Sequence, residues 1–189
     1  DLAAALLERV GTLWNLYGPT ETTIWSSASR INRDAPITLG EPFDDCSLTI
    51  RDAHGRVAPL DAVGELCIGG SNLARGYLHR AALTAERFVP DADGAPGARA
   101  YRTGDRVRRR ADGGLEFEGR FDQQIKLRGH RIELGEIESA LRAASGVRDA
   151  AAVLEARPTP RLVAYVTGEA DPVVLRRELL QTLPAQLVP

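Results

Sequence analysis

The sequence predicts a mixed α+β fold with three parts: the edge of an α/β core layer, a distorted β-barrel-like subdomain, and a small α+β lid domain. Short strand-like segments separated by turn residues dominate the chain as far as Phe121. Amphipathic helical periodicity alternates with strands only after that point. A length of 189 residues, of which 43% are hydrophobic and 26% charged, fits one or two globular domains. We therefore expect one unit at 1–121, divided into 1–30 and 31–121, and a second unit at 122–189.

The first segments predict a helix followed by a buried strand. Apolar residues recur at helical intervals over 2–10, and Gly11 is expected to end that helix. The apolar run 12–17 predicts a buried strand that leads into a Gly-Pro turn. We expect 1–30 to form the last strand and the edge of a larger α/β layer.

The middle of the chain predicts short strands and little helix. Strand-like segments at 47–51 and 64–68 flank the turn residues 53–55. One or two helical turns are expected at 84–88. The segment 90–98 is rich in Pro, Gly and Asp, which predicts a surface loop.

The sequence Asp112-Gly113-Gly114 gives the strongest hairpin signal of the chain. It lies between strand-like segments at 107–110 and 115–118. Glycine tolerates the positive φ that tight hairpin turns require, so we expect these two segments to pair.

The C-terminal part predicts three strands interleaved with two helices. Strands are expected at 124–127, 149–154 and 162–167, and a first helix at 133–144. Asp171 is expected to cap a second helix, which has a proline at its first position. The predicted buried positions of the two helices are Leu134, Ile137, Leu141 and Ala144, then Leu175, Leu179, Leu180 and Leu183.

Composition excludes several classes of function. A net charge of −2 gives no basic footprint, so we expect no nucleic-acid partner. No apolar run approaches the roughly 20 residues that span a bilayer, so we expect no membrane association. The arginine-rich segment 106–110 is interpreted as a solvated strand face rather than a polyanion site. Cys46 and Cys67 lack metal-ligand spacing and are expected to be buried reduced thiols, consistent with a cytoplasmic protein.

Three polar segments carry candidate chemistry. The sequence 17–21, Tyr-Gly-Pro-Thr-Glu, offers a ring for stacking, a hydroxyl for phosphate and a carboxylate for Mg²⁺, although alone it favours an ordinary capped turn. Asp105 either binds the two hydroxyls of a ribose or bonds its own backbone in a turn. Arg120 either holds an oxygen-rich ligand or forms a surface ion pair, and Asp122 follows it.

The order of the motifs resembles a known family. The motif-bearing stretches are 15–21, 64–70, 73–78, 101–105, 119–138 and 183–189. Together they resemble consecutive core motifs of the adenylation domains of nonribosomal peptide synthetases, which belong to the adenylate-forming superfamily. The resemblance covers nearly the whole chain.

This resemblance implies an ATP-dependent ligase. In the family, an amino-acid carboxylate attacks the α-phosphorus of ATP, giving aminoacyl-AMP and pyrophosphate, and the acyl group then passes to the phosphopantetheine thiol of a carrier protein domain. By position, Tyr17 and Gly18 would contact the nucleotide, with Tyr17 on adenine. Thr20 would contact the α-phosphate and Glu21 would bind Mg²⁺, which makes this pair the catalytic candidates. Asp105 would hold the ribose hydroxyls.

The resemblance also implies roles in substrate choice and motion. Arg120 would assist Asp105 at the ribose, and Asp122 would be the hinge of the lid domain. The loop formed by Arg128, Gly129 and His130 would face the carrier domain.

By family position the amino-acid pocket includes Leu16, Ile24 and Trp25, a combination that resembles glycine-activating domains first and cysteine-activating ones second. The alternative for Trp25 is a plain core position. A small MbtH-like accessory protein is an optional further partner, beside the region 83–88.

The resemblance leaves two other functions open: a related acyl- or aryl-activating ligase, and a non-catalytic docking module. The family's upstream Gly-rich phosphate loop and amine-binding aspartate do not occur in this sequence, nor does the lysine expected downstream of 189. We therefore interpret the chain as an internal piece of a longer protein. We expect that these residues alone do not form aminoacyl-AMP.

Overall fold

A computed structural model of the chain describes residues 2–156 and 159–189. The described residues divide into two compact units, Asp1–Phe121 and Asp122–Pro189. Residue 1, with which the expected first unit begins, lies outside the described residues. Within the part of the chain that is described, no helix is long and apolar enough to cross a bilayer.

The first unit opens with a short helix and a small antiparallel sheet. Helix α1 (Leu2–Leu7) precedes strand β1 (Trp14–Tyr17), which pairs with β2 (Ser27–Arg30), and β2 pairs in turn with β3 (Glu41–Pro42). The helix is shorter than the predicted 2–10.

The prediction that β1 is buried is wrong. Trp14 is 55% exposed and Leu16 is 42% exposed. An apolar run indicates which side chains favour burial, but it cannot show whether another element covers them. No residue of α1 is buried, so this helix provides no such cover.

A five-stranded antiparallel sheet forms the rest of the first unit. Its elements are β4 (Cys46–Arg51), β5 (Val63–Gly70), β6 (Phe88–Pro90), β7 (Arg99–Arg109) and β8 (Leu115–Arg120), with helix α2 (Ala81–Arg87) leading into β6. The long β7 pairs with β5 along one edge, and with β6 and then β8 along the other. Register shifts on both sides of β7 bend the sheet. The predicted mixed α+β fold is confirmed.

The core of the first unit lies on one face of this sheet. Its buried members are Leu39, Ile50, Leu66, Ile68, Val107 and Leu115. The predicted hairpin between β7 and β8 is confirmed: Arg110 N donates to Gly114 O at 2.9 Å, and Gly113 has a φ of +88°.

The two cysteines differ in burial. Cys67 is 3% exposed, as expected. Cys46 is only half-buried, so that prediction is wrong. Cys46 pairs across the sheet with Gly70, which has no side chain to cover the thiol.

The second unit begins with a hairpin. Strands β9 (Gln124–Leu127) and β10 (His130–Glu133) are antiparallel, and Arg128 and Gly129 form the two-residue turn with φ of 52° and 81°. His130, which we expected in the loop, is instead the first residue of β10.

The remainder of the second unit packs two helices and a two-stranded sheet. Its elements are α3 (Leu134–Ala143), β11 (Val147–Glu155), β12 (Arg161–Gly168) and α4 (Pro172–Thr182). The predicted cap is confirmed, because Asp171 Oδ1 accepts hydrogen bonds from Val173 N at 2.8 Å and Val174 N at 3.1 Å. The buried helix positions are Leu134, Ile137, Leu141, Leu175, Leu179 and Leu183. Leu180 is 51% exposed, so its prediction is wrong: Leu175, Leu179 and Leu183 recur every four residues and already fill the stripe.

Candidate functional site

A buried carboxylate at the middle of β7 collects side chains from three separate segments. Asp105 Oδ2 accepts a hydrogen bond from the Tyr17 hydroxyl, and Asp105 Oδ1 accepts one from Arg120 Nη1. Asp105 is 6% exposed. The Arg120 guanidinium also donates from Nη2 to Thr103 O at 2.9 Å. The structure therefore brings together three residues that the sequence singled out at distant positions.

Strand pairing explains why Asp105 and Arg120 meet. The two residues are direct partners in the antiparallel register of β7 and β8, a position in which opposite charges interact favourably. The backbone N–H of Asp105 donates to Thr103 Oγ1 at 2.9 Å, and Thr103 is 1% exposed. The carboxylate is thus held by its own strand as well as by its neighbours.

The Tyr17 phenol stays protonated in this environment. Burial raises the pKa of Tyr17 far above its usual value, and the negative charge of Asp105 raises it further. The protonated phenol is a permanent donor to Asp105. It follows that the Tyr17 hydroxyl positions the carboxylate without adding charge to it.

A second buried carboxylate, Glu21, lies within the short 3-10 turn Thr20–Thr22. Glu21 is 8% exposed, and its Oε1 accepts a hydrogen bond of 2.7 Å from the Tyr77 hydroxyl. The Tyr77 ring packs edge-on against Phe88, with a centroid distance of 5.6 Å. Burial, and then the hydrogen bond to Glu21, raise the pKa of Tyr77 well above its usual range. Tyr77 therefore acts as a fixed donor to Glu21.

The Gly18 position is closed to any side chain. A Cβ at Gly18 would lie 2.5 Å from Ile24 O and 2.8 Å from Ser26 N. Ser26 N also donates to Tyr17 O at 2.8 Å. Only glycine allows the segment 23–26 to return this closely against the end of β1.

The predicted pocket residues and Thr20 are exposed. Leu16 is 42% exposed on β1, Ile24 is 66% exposed, and Trp25 is 57% exposed. Trp25 is therefore no core residue of the described structure. Thr20 is exposed at the start of the 3-10 turn.

The remaining predicted residues lie in the second unit. Asp122 is its first residue, and its Oδ1 accepts a hydrogen bond from Gln124 N at 3.2 Å. Arg128 and Gly129 are exposed at the tip of the β9–β10 hairpin.

The oxygen donors of Glu21 and Thr20 are of the type that Mg²⁺ prefers, and two such side chains leave most of its ligands to be supplied by water and substrate. No group of three or more His, Cys, Asp or Glu side chains suited to a metal ion is found within 2–156 and 159–189. Mg²⁺ commonly takes only one or two carboxylates and completes its shell with water and substrate phosphates. Glu21, beside the exposed hydroxyl-bearing Thr20, matches that pattern.

One cavity of the first unit lies away from these residues. It has a volume of about 250 Å³, and its lining includes Arg51, Glu65, Cys67 and Arg102. Arg102 is paired with Glu65 at 2.6 Å, and Arg51 with Asp91 at 3.0 Å. None of the predicted site residues lines it.

The arginine-rich segment forms the solvated strand face that we expected. Arg108 pairs with Glu116 and Glu118, each at 3.0 Å. Arg106 lies over the Phe121 ring at 5.6 Å. Arg106 and Arg108 therefore contact neighbouring side chains of the first unit while the face remains at least partly exposed.

Sequence reasoning missed two residues that contact the site. Tyr77 lies in the motif 73–78, and the sequence analysis predicts no individual role for it. Asn72, which donates from Nδ2 to Thr22 O at 2.9 Å, was not singled out at all. The position of Tyr77 inside a motif that resembles the family could have indicated a role at the site. A single asparagine after a strand gives no such indication.

The chain is similar to known proteins along its length. A family model described as AMP-binding enzyme matches residues 1–78. The chain is 49% identical over 182 residues to a dimodular nonribosomal peptide synthase of Bacillus subtilis, a match that covers 93% of this chain and 8% of that protein.

Two solved structures are also similar. One is holo-AB3403, a four-domain nonribosomal peptide synthetase bound to AMP and glycine, with 48% identity and a TM-score of 0.61 over 100% of this chain and 14% of the other. The other is PA1221, a protein containing adenylation and PCP domains, with 35% identity and a TM-score of 0.82 over 100% of this chain and 39% of the other. The chain thus spans less than two fifths of each of these relatives.

Proposed function

Because the chain belongs to the adenylation domains of nonribosomal peptide synthetases, within the AMP-binding enzymes, and corresponds to the C-terminal part of such a domain, we propose that it is part of an amino-acid-activating ligase. The reaction joins an amino-acid carboxylate to the α-phosphate of ATP and releases pyrophosphate. The aminoacyl group then passes to the phosphopantetheine thiol of a carrier domain.

The cluster of Tyr17, Asp105 and Arg120 is the observation that carries the proposal. Asp105 is a buried carboxylate at a fixed position, with donors on both oxygens. A carboxylate retains further lone pairs, so it can accept from both hydroxyls of a ribose. The Arg120 guanidinium lies beside this carboxylate and offsets its negative charge. Tyr17, whose hydroxyl is bound to Asp105, would offer its ring to the adenine.

Glu21 is proposed to hold the magnesium ion that accompanies ATP, and Thr20 to contact the α-phosphate. The ion supplies neutralisation of phosphate charge when bound. Tyr77 fixes one oxygen of Glu21, so the carboxylate keeps one orientation. Adenylation needs mainly positioning and charge neutralisation, and these side chains provide both.

Glycine is the proposed amino acid, with cysteine second. The proposed pocket is lined by two branched aliphatic side chains and an indole, from Leu16, Ile24 and Trp25. These bulky groups would fill most of the pocket and leave room only for an amino acid with a small side chain. The similarity to a synthetase bound to AMP and glycine supports this choice.

The second unit is proposed to serve the transfer step. Asp122 would be the hinge, and the exposed turn at Arg128 and Gly129 would face the carrier domain. The similarity to a protein containing adenylation and PCP domains supports a carrier partner. A small MbtH-like protein that binds beside α2 is a further proposed partner. We also propose a cytoplasmic location, with which two unpaired cysteines are consistent.

Amino-acid-dependent exchange of pyrophosphate into ATP tests the proposal in the full-length protein that contains this chain. We expect exchange with glycine, and a kcat/KM for ATP lowered about 10- to 100-fold in Asp105→Asn, the loss expected for hydrogen bonds to a charged group. The control Asp112→Asn changes an exposed aspartate of the β7–β8 turn and should leave the rate unchanged. Strong preference for a large amino acid would refute the glycine assignment, and no exchange with any amino acid would refute the function.

A further inference from the structure

The turn that carries Ile24 and Trp25 is held in an unusual backbone conformation. Thr23 and Ile24 have consecutive positive φ angles of 57° and 76°. Trp25 N donates to Thr23 O at 3.0 Å, so the turn is a γ-turn with positive φ at its central residue. This form of γ-turn is rare and strained, above all with a β-branched residue at the centre. The conformation persists only where surrounding contacts impose it.

Asn72 supplies contacts on both sides of this turn. Its Nδ2 donates to Thr22 O at 2.9 Å and lies 3.3 Å from Ser26 Oγ. Its backbone O accepts a hydrogen bond of 2.7 Å from Thr23 Oγ1. One residue, distant in sequence, therefore contacts Thr22 and Thr23 before Ile24 and Ser26 after Trp25.

The segment around Asn72 is itself anchored. Ser71 N donates to Asp45 O at 3.2 Å, and Ala74 N donates to Glu21 O at 2.8 Å. Thr22 and Ser26 are completely buried, and their hydroxyls are 2.6 Å apart. Asn72 thus links a fixed strand end to the base of the turn, while Ile24 and Trp25 remain exposed at its tip.

We propose that Asn72 is a positioning residue that sets amino-acid selectivity by holding the Thr23–Ile24 turn, and through it Ile24 and Trp25, in place. This proposal rests on the proposed function, since it assumes that those two side chains line the amino-acid pocket. Asn72 itself touches no reacting group in this scheme. Its effect should therefore fall on amino-acid recognition, while the binding of ATP at Asp105 is left unchanged.

The test in the full-length protein compares Asn72→Ala with Asn72→Asp in pyrophosphate exchange. We expect the KM for the preferred amino acid to rise about threefold to tenfold, the range for one or two lost hydrogen bonds, and discrimination against the next larger amino acid to fall. The KM for ATP should stay within about twofold. Asn72→Asp should be no better than Asn72→Ala, because a carboxylate cannot donate to Thr22 O. Asn32→Ala, at an exposed asparagine, is the matched control.

Two outcomes would overturn the proposal. Equal losses for all amino acids and for ATP, in step with a lower thermal midpoint, would show a purely structural role. Full activity and selectivity in Asn72→Asp would show that the donated hydrogen bond has no part in selectivity.

A fluorescence measurement on this chain separates failure of the proposal from failure of the proposed function. The chain has two tryptophans, so Trp14→Phe leaves Trp25 as the sole reporter of the turn. In that background, Asn72→Ala should change the Trp25 emission and its quenching by acrylamide, and Asn32→Ala should not. An unchanged Trp25 signal would overturn the positioning role even in an active enzyme. A changed Trp25 signal in this chain, together with no exchange by the full-length protein with any amino acid, would uphold the positioning role and refute the selectivity role together with the function.

Discussion

The Tyr77 hydroxyl donates a hydrogen bond of 2.7 Å to Glu21 Oε1, across 56 positions of the sequence. Glu21 belongs to a 3-10 turn that follows β1, whereas Tyr77 lies between β5 and α2. Ala74 N also donates to Glu21 O, so the motif 73–78 holds Glu21 by both its backbone and its side chain. Two motifs that are separate in sequence therefore form one structural unit around a buried carboxylate.

Tyr77→Phe should destabilise the first unit and weaken the magnesium binding that we propose for Glu21. The change removes one donor from a buried carboxylate, which typically costs about 1–3 kcal/mol. Urea denaturation of the chain should show this loss. In the full-length protein, the Mg²⁺ concentration for half-maximal pyrophosphate exchange should rise. Tyr165→Phe removes the same atom from a tyrosine that is 62% exposed on β12 and should change neither quantity.

Arg120→Ala should lower the free energy of unfolding by more than the loss of an exposed ion pair does. The Arg120 and Asp105 side chains are only 18% and 9% exposed. Removing the guanidinium leaves a buried carboxylate without its partner, and breaking such a pair typically costs about 3–5 kcal/mol. The free energy of unfolding in urea measures this cost.

A double-mutant cycle provides the control for that prediction. Arg120→Ala combined with Asp105→Asn should lose much less than the sum of the single changes, because no unpaired charge remains. Arg56→Ala breaks a solvent-exposed pair with Asp52 and should leave the free energy of unfolding nearly unchanged. Additive single effects would contradict the idea that the two buried groups depend on each other.

The sequence was sufficient to predict elements whose signal is local. The Gly113 turn and the Asp171 cap each depend on a few adjacent residues, and both formed as predicted. Coverage by other elements is not a local property, and this is why the burial of β1 and of Leu180 was predicted wrongly. Strand β10 was not predicted because the segment after the Arg128–Gly129 turn has only four residues, too few to show a clear alternation of apolar and polar side chains.

The candidate site was predictable only as a set of separate motifs. Tyr17, Asp105 and Arg120 were each singled out, but their shared contacts depend on strand register, which no single motif specifies. The γ-turn at Ile24 could not be predicted, because a β-branched residue argues against positive φ. It exists because Gly18 leaves room for it and Asn72 binds its base.

The strain at Ile24 predicts an inverted order of stability for two substitutions. Glycine adopts positive φ freely, whereas alanine does not, so Ile24→Gly should be more stable than Ile24→Ala by about 1 kcal/mol. Ile24 is 66% exposed, so little burial is lost in either variant. Ile37 is 46% exposed and does not have a positive φ, so the same two substitutions there should show the usual order, in which alanine is more stable than glycine. The midpoints of thermal unfolding of the four variants test this prediction. If alanine is more stable than glycine at both positions, the backbone at Ile24 is not strained.

Cys67 should resist modification until the pH is strongly alkaline. Burial, and then the negative charge of Glu65, raise the pKa of the Cys67 thiol from its ordinary value of 9.0 to about 11. The thiolate is the reactive form, so alkylation by iodoacetamide at pH 8 should label the half-buried Cys46 in Cys67→Ala much faster than it labels Cys67 in Cys46→Ala.

The raised pKa of Cys67 also makes stability depend on pH, because the folded state holds the thiol proton more tightly than the unfolded state. The stability contributed by the protonated thiol is therefore fully present below pH 9 and is lost as the pH rises toward 11. Cys67→Ala should flatten the decline of unfolding free energy over that interval, and an unchanged slope, or rapid labelling of Cys67 at pH 8, would show that the thiol is not buried as the sheet places it.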